Sequence, residues 1–85
     1  MVEALYAPAE ERVLRRLGEL AAAYGRPGET AATIPLRQEQ LAELAGTTRV
    51  TAKQVLRGLQ ARGVVALARG RIVVATDRLP QRALR

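Results

Sequence analysis

The stretch from Arg37 to Gly63, RQEQLAELAGTTRVTAKQVLRGLQARG, limits what the chain can become more than any other feature. Its apolar residues recur at helical spacing on both sides of a Gly-Thr break. Leu41, Ala42, Leu44 and Ala45 give a first short helix one apolar side. Ala52, Val55, Leu56 and Leu59 fall at i, i+3, i+4 and i+7 and give a second helix a single buried stripe. Between them Gly46 can take the positive φ that ends a helix, and Thr47 or Thr48 supplies a hydroxyl to cap the next one. Two helices joined by so tight a turn must cross and bury those stripes against a third element.

The outward side of the second helix follows from the same geometry. At about 100° per residue the stripe centres on Ala52 and Leu59, which leaves Val50, Gln54, Arg57 and Ala61 on the opposite face. Lys53 lies on the flank of that face, and Arg49 projects from the first turn. The set holds cations, an amide and small apolar groups, with no carboxylate. Guanidinium pairs with guanine, amide with adenine, methyls with thymine and ammonium with phosphate, so these groups suit a DNA major groove. The plainer alternative is the solvated side of an ordinary helical hairpin.

Charge is unevenly distributed. Residues 1–36 hold four arginines against five glutamates, whereas residues 37–85 hold ten cations against Glu39, Glu43 and Asp77. A polyanionic partner for the C-terminal part explains the segregation; a general enrichment in arginine would explain only its abundance. Lys53 is the only lysine.

Several functions are removed by what the sequence lacks. It contains no Cys, His or Ser, which excludes disulfides, thiolate or imidazole metal sites and nucleophiles of the Cys or Ser–His type. Glu10–Glu11 and Glu39–Glu43 read as helix N-terminal charges rather than as an acid–base pair. The expectation is a non-enzymatic protein without cofactor or metal. No apolar run reaches membrane-spanning length and the start does not resemble a secretion signal, so the expected location is the cytoplasm, with no membrane partner.

Aromatic residues amount to 2% of the chain, so the core must be aliphatic. Residues 1–7 read as a lead-in, with Pro8 opening a new helix at its favoured first position. From Pro8 to Tyr24 the residues Val13, Leu17, Leu20, Ala21 and Tyr24 mark its buried side, Gly25 closes it, and Gly18 inside it points to a close contact. Residues 26–33 read as an exposed loop, and 33–36 as a short extended piece able to serve as an edge strand before Pro35. Residues 64–76 carry two β-favouring runs around Arg69-Gly70, the signature of a hairpin. Arg69 and Arg71 at its tip are either a phosphate clamp or solubilising charges at a turn. Asp77 is placed to cap a last helical segment around Leu79 to Leu84, with Arg78, Arg82 and Arg85 exposed.

Helix, strand, helix–turn–helix and hairpin in this order make an α+β, mainly helical, winged helix-turn-helix: a three-helix core with a small antiparallel sheet as the wing. The pieces RVLRRLGELAAAYG, LAELAGTTRVTAKQVLRGLQARGVV and RGRIVV, with Asp77 and Leu79, resemble the C-terminal DNA-binding domain of the CRP/FNR family of bacterial transcription regulators. The resemblance covers roughly residues 8–83, and its most specific part runs from Leu41 through Gly63.

It implies sequence-specific binding of double-stranded DNA, with a recognition helix at 48–61 in the major groove and a wing at 65–74 on the backbone. Arg49, Val50, Lys53 and Gln54 are the implied base-contacting residues. Arg37, Gln38, Thr48, Thr51, Arg57, Arg69 and Arg71 are the implied backbone-contacting ones. Well-known members have Glu where Val50 stands and Arg where Gln54 stands, so a different half-site is expected. Arg37 stands where the family often has Thr, a poor start for a capped helix. Family members also carry a sensor domain and a long dimerisation helix, of which residues 1–7 would be the tail. A homodimer formed through that missing region and a contact with RNA polymerase are the further partners implied. The alternative function is a winged-helix protein-interaction module without sequence-specific DNA reading.

Overall fold

A computed structural model describes residues 2–80 and Ala83. The elements run α1 (Val2–Tyr24), β1 (Ala31–Ile34), α2 (Gln38–Leu44), α3 (Arg49–Ala61), β2 (Val65–Ala68), β3 (Arg71–Ala75) and a 3-10 turn over Thr76–Arg78. This is the expected winged helix. Three helices pack on one side of a three-stranded antiparallel sheet of order β1-β3-β2.

One long helix replaces the expected lead-in and restart. α1 passes through Pro8, which is exposed. Proline has no N–H to give to the carbonyl of Ala4, so one helical bond is missing there. The strong helix formers around it, Ala4, Leu5, Ala7 and Ala9, sustain the helix nonetheless. Glu10 and Glu11 consequently lie in mid-helix, not in a first turn.

β1 also starts earlier than the sequence pattern indicates. Ala31, Ala32 and Thr33, read as loop, pair with Ala75, Val74 and Val73, and Ile34 pairs with Ile72. The strand ends there because Pro35 has no N–H for a further rung. Alternation sends Ala32 and Ile34 inward, fully covered, and leaves Ala31 and Thr33 outside. β2 pairs with β3 from Val65–Val74 to Ala68–Arg71, which leaves Arg69-Gly70 as a two-residue turn with Gly70 at φ 74°.

The core is aliphatic throughout. Leu14, Leu17, Ile34, Leu41, Leu56, Leu59 and Ile72 are essentially inaccessible, and no polar side chain is buried among the described residues. Each such side chain contributes about 1.5–3 kcal/mol through removal from water. Leu14, absent from the expected stripe of α1, is buried because α1 is covered by α3, α2 and β1 together. Tyr24 and Leu44, assigned to apolar sides, are instead 51% and 46% exposed. Each is the last residue of its helix, beyond the reach of the packing partner.

Gly18 faces the chain end. A Cβ there would lie 1.8 Å from the Ala83 carbonyl oxygen, so glycine is what lets the C-terminal segment lie on α1. Leu79 and Ala83 are buried. Asp77 does not cap a helix beginning after it; it lies inside the 3-10 turn. Arg82, Leu84 and Arg85 lie outside the described residues.

Candidate functional site

The α2–α3 motif is fixed at each end by backbone chemistry. At the end of α2 the Thr47 amide donates to the Ala42 carbonyl (3.0 Å) and the Gly46 amide to that of Glu43 (3.1 Å). This paired closure requires a left-handed residue, and Gly46 supplies it at φ 66°. Thr48, not Thr47, caps α3: its Oγ1 accepts from the Thr51 amide at 3.1 Å. The Thr48 hydroxyl also donates to Thr51 Oγ1 at 2.9 Å, which leaves the Thr51 hydroxyl hydrogen free to donate elsewhere.

Arg37 is the extended residue before α2, and its guanidinium cannot accept a hydrogen bond. Gln40 compensates from the other direction: its Oε1 accepts from the Arg37 amide at 2.9 Å. Half of a capping box therefore suffices.

Three arginines and a glutamine hold the motif to its neighbours. Arg12 Nε donates to the Ala45 carbonyl (3.1 Å) and Arg16 Nε to the Leu44 carbonyl (2.9 Å), satisfying acceptors that the end of α2 leaves open. Arg62 joins Glu10 at 2.6 Å, tying the end of α3 to α1. Gln60 Oε1 accepts from the Leu67 amide at 3.2 Å and connects α3 to the wing. None of these contacts is visible as a local pattern.

With the motif held this way, the outward face of α3 is the expected one. Ala52, Val55, Leu56 and Leu59 are buried, while Val50, Lys53, Gln54, Arg57 and Ala61 are exposed, Val50 to 71%. At the N-terminal end of that face an open groove of about 330 Å³ is lined by Arg37, Gln38, Glu39, Arg49, Lys53, Ala68, Arg69 and Gly70. The start of α2, the first turn of α3 and the wing tip thus meet at one place. Five of the candidate residues, Arg37, Gln38, Arg49, Lys53 and Arg69, line the groove. Val50, Gln54 and Arg57 lie farther round or along α3, and Arg71 stands exposed at the start of β3 outside the groove.

One groove residue was not among the candidates. Glu39, whose side chain is 42% exposed, lies with Oε1 3.4 Å from Arg37 Nε and Oε2 3.8 Å from an Arg49 terminal nitrogen. Its position in the first turn of α2 gave it an ordinary role as a helix-end charge. Only the crossing of α2 and α3 brings it beside Arg49.

The model of the Crp-like helix-turn-helix domain matches residues 11–79 of this sequence. The chain belongs to that family. It is accordingly a DNA-binding domain of the transcription-regulator type. Among solved structures it is similar to the Thermus thermophilus catabolite activator protein, with 31% identity, a TM-score of 0.77, and coverage of 95% of this chain and 36% of that one. It is also similar to oxidized CprK in complex with o-chlorophenolacetic acid, with 25% identity, a TM-score of 0.73, and coverage of 91% and 34%. A further CprK structure, at 22% identity and TM-score 0.74, shares the fold. The chain spans about a third of the length of these relatives. No curated protein sequence matches it. Among the described residues, no helix of this Crp-like domain is long and apolar enough to cross a membrane.

Proposed function

We propose that the domain binds duplex DNA sequence-specifically as part of a bacterial transcription regulator in the cytoplasm. In this reading α3 enters the major groove and the β2–β3 wing rests on the phosphate backbone. The observation that carries it is the groove where α2, α3 and the wing tip meet, with four cations around a single carboxylate. Such an arrangement attracts a polyanion at the end of the helix whose outward face bears an amide and a branched methyl pair.

Arg49 is suited to a guanine edge, Gln54 to adenine and Val50 to a thymine methyl, with Lys53 beside them. Arg37, Gln38, Thr48, Thr51, Arg57, Arg69 and Arg71 are the proposed backbone contacts. Thr51 suits this role through its unused hydroxyl hydrogen. The reading assigns the domain no catalytic step. A single module buries little surface on DNA, so tight binding requires two copies on half-sites about one helical turn apart.

The test is a fluorescence-anisotropy titration against duplexes selected from a random pool, at two salt concentrations. The expected result is a preference for the selected duplex over a scrambled one, with log K falling by about 0.9 per phosphate neutralised for each tenfold rise in salt. Equal affinity for both duplexes, or binding indifferent to salt, would overturn the reading.

A further inference from the structure

The groove contains one group that opposes the partner just proposed. Glu39 is the only carboxylate among its lining residues, and each of its oxygens faces a different arginine. Both contacts are long and solvent-exposed, so in the free protein they restrain the guanidiniums only weakly. Removing water changes that balance. When a polyanion covers the groove, a carboxylate there repels phosphate, while its attraction for a guanidinium beside it grows as the local dielectric falls. The repulsion applies to every DNA sequence. The attraction helps only where Arg49 is extended onto an acceptor that rewards a fixed orientation, since a planar guanidinium pairs with a base edge in a narrow range of geometries.

We propose, on the basis of the DNA-binding reading, that Glu39 is a specificity-determining residue. It weakens docking on any duplex through its charge and recovers part of that loss only at sites where it braces Arg49 against a base. Glu39 is thus a positioning residue acting through Arg49, and it widens the gap between selected and unselected sequences. Arg37, its other partner, holds the carboxylate from the opposite side and keeps it from swinging out of the groove.

The experiment compares the wild-type domain with Glu39→Gln and Glu39→Asp, by anisotropy, against the selected duplex and a scrambled one. Circular dichroism melting verifies that each variant folds. Glu39→Gln keeps the length and removes the charge. It should tighten scrambled-duplex binding by about two- to fivefold, the size an exposed charge contributes, and should tighten the selected duplex less. Its selectivity ratio falls accordingly. Glu39→Asp keeps the charge and withdraws it from Arg49. It should leave the scrambled duplex unchanged and weaken the selected one. An unchanged or larger ratio in Glu39→Gln overturns the proposal while leaving the DNA-binding reading intact. A wild-type domain with no preference between the two duplexes overturns both.

Discussion

The arginines of this domain fall into two groups with opposite employment. Arg12, Arg16 and Arg62 are engaged inside the protein, on the carbonyls of Ala45 and Leu44 and on Glu10. Arg37, Arg49 and Arg69 gather with Lys53 round the groove, where Glu39 is the one carboxylate. The side chain is the same, yet the first group sets where the α2–α3 motif sits and the second faces outward from it. Net charge says nothing about that division. A helix end supplies the difference: carbonyls left open at the end of α2 need donors, whereas the capped start of α3 already has its amide satisfied and leaves nearby cations without an internal task.

The sharpest way to break this contrast is to remove the support under both groups. Leu56→Ala should destabilise the fold by about 2–5 kcal/mol, because its side chain is wholly enclosed and the vacated space cannot close fully. Chemical denaturation would register it as a lower midpoint, and DNA binding should fall only in proportion to unfolding. Arg49→Ala should do the reverse: a melting temperature within about 2 °C of the parent, given its 78% exposed side chain, and a loss of about 1–3 kcal/mol against the selected duplex. A drop in melting temperature comparable to that of Leu56→Ala would show that Arg49 belongs with the internal group.

Thr48→Ala removes the cap of α3 and should cost about 1 kcal/mol, read as several degrees in a thermal melt. Arg16→Ala should cost about 0.5 kcal/mol, the low end for one hydrogen bond at an exposed position, with selectivity among duplexes unchanged. The smallest effect is expected for Arg69→Ala: equal weakening against selected and scrambled DNA, and a salt slope shallower by about 0.9. Gln54→Ala, by contrast, should relax preference at a single base pair. Were both to lose affinity in the same pattern, the division between backbone and base contacts would fail.

What could be read from the sequence was what depends on neighbours a few residues away. The stripe Ala52–Val55–Leu56–Leu59, the left-handed closure at Gly46 and the Arg69-Gly70 turn are local patterns, and the structure has all three. β1 was misplaced because Ala31 and Ala32 carry little strand preference of their own and are extended by pairing with residues more than forty positions later. Tyr24 and Leu44 fit the helical period yet stay exposed, since the period does not say where a partner surface stops. Within the groove, the cations were accessible to reasoning from charge and spacing. Glu39 was not, because ten residues and a crossing of two helices separate it from Arg49.

The sheet order has a consequence for how the domain would meet a duplex. Arg37 follows Ile34 by three residues and Arg69 precedes Ile72 by three, and Ile34 and Ile72 are rung partners across β1 and β3. The span between the two guanidinium-bearing positions is therefore set by a hydrogen-bonded ladder, not by a slack connection. The domain holds a caliper whose jaws open from one rung, and a double helix of unsuited groove width has to deform to fit it.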